Sequence, residues 1–106
     1  MDKVLLLGAG KIGRAICKFL AHTGDYQITV ADYSEEAVSK LGDVPNTSTA
    51  TLDVTDSKQL NRAVSGQDIV ISALSYMINP HVAEACIQAG ASYFDLPEDI
   101  ATTVAV

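Results

Sequence analysis

The chain has 106 residues, enough for one domain with a buried core. Hydrophobic residues make up 48% and mean hydropathy is +0.21, which excludes a disordered composition, and no apolar run nears the ~18–20 residues of a membrane-crossing helix. Net charge is −6 and the seven Lys and Arg residues are scattered, so no basic stripe exists for nucleic acid. Cys17 and Cys86 form no CxxC motif and no His/Cys cluster, so neither a metal nor a redox centre is expected. Both sit beside apolar residues and read as small buried hydrophobes in a reducing cytoplasm. The N-terminal MDKVLLLGAG breaks into glycines after a short apolar run, unlike a secretory signal.

Residues 3–7 carry, after Lys3, a continuous apolar run ending in Gly8, the mark of a buried strand. A helix follows, with Ile12, Ala15, Ile16, Phe19 and Leu20 as its apolar stripe and Gly24 as its stop. Residues 26–31, YQITVA, form a second strand closed by Asp32. Ser34 caps a short helix with Glu35 and Glu36 in its first turn and Ala37, Val38 and Leu41 facing inward. After a turn over 42–46, residues 47–54 make a third strand, polar enough to suit a sheet edge. Asp56 caps the next helix, with Gln59 at capping-box spacing; Leu60, Ala63 and Val64 face inward, and Gly66 ends it. Residues 68–74, DIVISAL, are a fourth strand. Asn79 and Pro80 read as N-cap and first helical position of a helix whose stripe is Val82, Ala83, Cys86 and Ile87, up to Gly90. Residues 91–96 form a fifth strand.

Strict β-α alternation predicts an α/β fold: a Rossmann-type, doubly wound parallel sheet of about five strands in order 3-2-1-4-5. The segment 97–106 has no natural close and could open another helix, so the chain reads as a fragment of a larger two-domain protein.

Gly8, Gly10 and Gly13 match G-x-G-x-x-G. Gly8 permits a tight turn, Gly10 lets backbone approach a pyrophosphate, and Gly13 lets the helix pack close to the sheet. The backbone N–H groups of Lys11 and Ile12 then lie at a helix N-terminus, which favours anions. Alone the motif is weak. Here it follows a strand, opens an amphipathic helix, and is followed about 20 residues later by an acidic residue, Asp32. That context points to a dinucleotide. Asp32 is expected to accept hydrogen bonds from the adenosine ribose, and no Arg follows it, so NAD is favoured over NADP.

Other positions are open between two roles. Tyr33 packs on the adenine or stands exposed. Asp53, with Val54 beside it, accepts from the adenine amino group or caps the helix near Asp56. Ser72, Ala73 and Leu74 end the fourth strand beside the switch point, where their backbone is expected to border the nicotinamide ribose. Tyr76 and Asn79 touch ligand or are structural. His22 reads as surface, and His81 is the one histidine near the cleft that could serve as acid or base. No catalytic residue follows from these residues alone.

VLLLGAGKIGRAICKFLAHTGDYQITVAD and SALSYMINPHVAEACIQAGASYFDLPED together resemble the N-terminal domain of saccharopine dehydrogenase-like proteins. The first stretch is common to many Rossmann domains; the Asn-Pro helix start, AEACIQAG and YFDL are more specific. The resemblance implies NAD(P)-linked oxidation of a secondary amine in amino-acid metabolism. It also implies a C-terminal substrate domain that carries most of the chemistry. A second reading comes from Asp53-Val54-Thr55-Asp56, which resembles a segment of NAD-sensing modules that gate potassium transport, non-catalytic and active as a homodimer. Residues 75–98 favour the dehydrogenase.

Overall fold

The computed structural model describes residues 2–73 and 79–95. Strands β1 (Asp2–Leu7), β2 (Tyr26–Asp32), β3 (Thr47–Thr51), β4 (Ile69–Ser72) and β5 (Ser92–Asp95) alternate with helices α1 (Lys11–Thr23), α2 (Glu35–Ser39), α3 (Ser57–Val64) and α4 (Asn79–Ala89). The strands form one parallel sheet in the expected order, β3-β2-β1-β4-β5.

The apolar runs are explained by what lies on each face. Leu6 pairs with Val30 on one side and Ile71 on the other; Leu7 pairs with Ala31 and Ser72. Leu5, Leu7 and Val70 meet Leu60 and Val64 of α3 and Val82 and Cys86 of α4. Leu6, Ile28 and Val30 meet Cys17 of α1 and Val38 and Leu41 at α2. A central strand covered on both faces must be apolar at consecutive positions, as β1 is. The chain steps from β1 through β2 to β3, then returns across β1 to β4 and β5. Right-handed crossovers in opposite directions put α1 and α2 on one face and α3 and α4 on the other. The order reverses between β1 and β4, so the switch point lies at their carboxyl ends.

Several expected details shift. On α1 the buried residues are Gly13 and Cys17, with Ile16, Leu20 and Ala21 packed around them. Ala15 and Phe19, expected on the inner stripe, are exposed, Phe19 by 71%. Each stands two residues, about 200° of helix rotation, from Gly13 or Cys17. The close seating of Gly13 sets which side of α1 meets the sheet. On α4 the buried set is Val82, Ala85 and Cys86, while Ile87 is 80% exposed. α4 begins at Asn79 itself, the residue expected to cap it, one residue before the expected first helical position. β4 and β5 are shorter than expected, and Leu74, Tyr76 and segment 97–106 lie outside the described residues.

β3 stops at Thr51 and not at Val54, and it lies on the sheet edge with most of its residues exposed. Leu52 still donates its N–H to the Asp32 carbonyl at 2.9 Å. Beyond it the backbone leaves the sheet for partners of its own. The caps are as expected at Ser34, whose Oγ accepts the Ala37 N–H at 3.2 Å. Asp56 Oδ1 accepts the N–H groups of Lys58 and Gln59 at 3.0 and 3.3 Å. Gln59 departs from the capping box. Its Oε1 accepts the N–H of Asp53 at 3.2 Å, while the Asp56 N–H goes to the Asp53 carbonyl at 3.1 Å.

Candidate functional site

The site is built where β1 runs into α1. Gly8 has φ of 104°, a conformation that side chains oppose. Its N–H donates to the Ala31 carbonyl at 2.8 Å, so the turn stays fastened to β2. Gly10 is the N-cap of α1; no side chain caps this helix and no acid stands in its first turn. The N–H groups of Lys11 and Ile12 thus sit at a helix start with nothing anionic supplied by its own first turn. A Cβ on Gly13 would overlap the Gly8 carbonyl oxygen, and only glycine allows α1 to sit this close. A Cβ on Gly10 would meet nothing within 4 Å; it would project into open space. The three glycines thus differ: a positive-φ turn at Gly8, open space beside Gly10, and a close helix–sheet contact at Gly13.

Asp32 ends β2 beside this loop. Its Oδ2 accepts the Ala9 N–H at 2.6 Å, and its Oδ1 accepts the Ser34 N–H at 2.8 Å. The carboxylate ties the glycine loop, 23 residues before it, to the start of α2. Ala9, buried at 1% exposure, went unnoticed as a site residue in the sequence. Nothing in its own identity signals the role, because the contact is made by its backbone. Tyr33 is 78% exposed, directly after Asp32.

Ser72 is fully buried at the end of β4, opposite Leu7. The Ala73 N–H donates to the Leu7 carbonyl at 2.8 Å, and its Cβ lies 3.9 Å from where a Gly13 Cβ would be. Gly8, Gly13 and Ala73 therefore converge at the switch point. Asp53 and Val54 lie on the β3–α3 loop, at the same carboxyl edge. Asp53 Oδ1 accepts both the N–H and the Oγ1–H of Thr55, at 3.0 and 2.5 Å. Asp53 does not cap α3; that oxygen set belongs to Asp56. The Asp56 carboxyl is held below its ordinary value, first by the Gln59 backbone N–H and then by the Gln59 side chain. Burial pushes the thiols of Cys17 and Cys86 up, as for inert core cysteines.

His22 is exposed in the last turn of α1, at the opposite end of that helix from the glycine loop. Leu74 and Tyr76 lie outside the described residues, as do the side chains of Asn79 and His81. Among the described residues, no group of His, Cys, Asp and Glu could hold a metal ion, and no helix is long and apolar enough to cross a membrane.

An uncapped helix start, a glycine loop and an acidic strand end at one sheet edge fit a dinucleotide. Comparison with known proteins agrees. The model of the family described as "Saccharopine dehydrogenase NADP binding domain" matches residues 4–105. The chain is 35% identical over 86 residues to the mitochondrial alpha-aminoadipic semialdehyde synthase of Bos taurus, covering 80% of this chain and 9% of that protein. It is 33% identical over 91 residues to a saccharopine dehydrogenase [NADP(+), L-glutamate-forming] of Schizosaccharomyces pombe, covering 85% of this chain and 20% of that protein. Among solved structures, the saccharopine dehydrogenase (L-Glu forming) of Saccharomyces cerevisiae superposes with a TM-score of 0.83 at 28% identity, covering 90% of this chain and 21% of that one. The chain thus spans between 9% and 21% of the length of these relatives. The match falls on the dehydrogenase reading and not on the transport-gating one. The chain belongs to the saccharopine dehydrogenase NADP-binding domain family.

Proposed function

We propose that this chain is the nucleotide-binding domain of an oxidoreductase that acts on a CH–NH group, and that it holds NAD(P) across the carboxyl edge of its sheet. The observation that carries this reading is the open, uncapped start of α1 at Gly10, with Asp32 fastened to the same loop. The pyrophosphate sits on the N–H groups of Lys11 and Ile12, where the helix dipole favours negative charge. Asp32 receives the adenosine ribose, Tyr33 and Asp53–Val54 flank the adenine, and Ser72 and Ala73 border the nicotinamide end. Bound there, the dinucleotide would supply a hydride acceptor for the carbon of a secondary amine, giving an imine that water splits into an amine and an oxo compound. The acid and base for those proton transfers, and a second domain holding the substrate, are assigned to chain beyond this domain.

Within that reading, NAD is the preferred dinucleotide. A 2′-phosphate at Asp32 would face a carboxylate, and residues 33–39 include Glu35 and Glu36 and no Lys or Arg. The yeast relatives carry NADP(+) in their names, and that preference is theirs. Calorimetry with NADH and NADPH on this chain tests both levels. Tighter binding of NADH is expected; equal or reversed affinity removes the specificity role of Asp32, and no binding of either removes the whole reading.

A further inference from the structure

Gln59 joins three points of the loop between β3 and α3. Its Oε1 accepts the Asp53 N–H at 3.2 Å, its Nε2 donates to Asp56 Oδ2 at 3.1 Å, and its backbone N–H donates to Asp56 Oδ1 at 3.3 Å. Strand pairing does not fix Asp53, because β3 ends at Thr51 and the last bond toward β2 is made by Leu52. The Asp53 backbone is instead held by a side chain six residues further on. Asp53 commits one carboxylate oxygen, Oδ1, to Thr55. Its Oδ2 has no partner among the described residues.

We propose that Gln59 is a positioning residue for adenine recognition: it fixes Asp53 at the carboxyl edge so that Oδ2 accepts from the adenine amino group. This rests on the placement of Asp53 beside the adenine proposed above. The Asp53–Thr55 turn is local and survives without Gln59, so the carboxylate keeps its shape but loses its anchorage. The loss then falls on the one contact Asp53 makes, and not on the pyrophosphate, which the glycine loop holds.

The experiment is calorimetry on the chain with NADH and with its reduced hypoxanthine analogue, which has a carbonyl oxygen in place of the amino group. The wild-type chain is expected to favour NADH by roughly 3- to 10-fold, the range of one hydrogen bond. Gln59→Met keeps the length of the side chain and removes both amide groups. It is expected to weaken NADH by a similar factor, leave the analogue unchanged and bring the ratio toward one. Equal weakening of both dinucleotides by Gln59→Met, or an unchanged ratio, means that Gln59 serves only α3, and the proposal is overturned. If the wild-type chain binds both dinucleotides equally well, the adenine placement of Asp53 fails and takes the proposal with it, while the glycine loop keeps its role.

Discussion

Gly10 and Gly13 are separated by two residues and by what surrounds them. At Gly13 an added Cβ meets the Gly8 carbonyl, which is backbone and cannot step aside. Gly13→Ala is expected to lower stability by about 2 kcal/mol or more, by forcing α1 off the sheet, with binding lost as a consequence. At Gly10, φ is −74° and the added methyl meets nothing. Gly10→Ala should leave urea unfolding within about 0.5 kcal/mol of wild type and weaken dinucleotide binding alone. If instead Gly10→Ala binds NADH as well as wild type, the pyrophosphate does not approach there. Asp32 mixes the two roles. Asp32→Asn offers one amide oxygen where two carboxylate oxygens now accept, so the N–H of either Ala9 or Ser34 loses its partner. A stability loss of about 1–2 kcal/mol before any ligand is added is expected from denaturant titration.

At the scale of elements, β1 and the cap of α3 invite opposite tests. Leu6 is fully buried between the sheet and the α1–α2 layer. Leu6→Ala is expected to cost about 2–5 kcal/mol, enough to unfold a marginal domain, as read by far-UV circular dichroism. The Asp56 cap is exposed and its effect is electrostatic. Its carboxyl titrates lower in the folded chain than in the unfolded one. Its stabilisation is therefore complete above the ordinary carboxylate value near 3.9 and fades as pH falls through the lowered folded value. The gap in melting temperature between wild type and Asp56→Asn should shrink between about pH 5 and pH 2; a constant gap would show that the charge is not the source.

The elements themselves were legible because β1, β2 and β4 are apolar runs punctuated by glycine and caps, which are local signals. Gly8, Gly13 and Asp32 were legible for the same reason: their spacing is set by one strand, one turn and one helix. What the sequence hid is tertiary. The rotation of α1 follows from a contact between Gly13 and Gly8 in space, so Ala15 and Phe19 look inward by periodicity and are exposed, while Ile16 and Leu20 do pack on the core. Gln59 holds the Asp53 N–H across a loop, a contact that no local spacing announces. The Ala9 contact to Asp32 is invisible to any side-chain motif.

The carboxyl edge is assembled from segments far apart in the chain: the loop at 8–10, Asp32, the loop at 52–55 and Ala73. Ala73 bonds to Leu7, Gly8 to Ala31, and Leu52 to Asp32, so these segments are already stitched across four strands. A dinucleotide lying along that edge touches groups that separate only when the whole sheet comes apart. Its binding energy should therefore appear as global stability and not as the ordering of one loop. At 100-fold excess over Kd the gain is about 2.7 kcal/mol, which for a domain of this size corresponds to a rise of roughly 10–20 °C in Tm. We expect one cooperative transition, moved upward by NADH, in differential scanning calorimetry. Gly10→Ala should melt where the free wild-type chain melts and gain much less from the same NADH. A ligand-induced rise equal in the two proteins would place the dinucleotide somewhere other than the glycine loop.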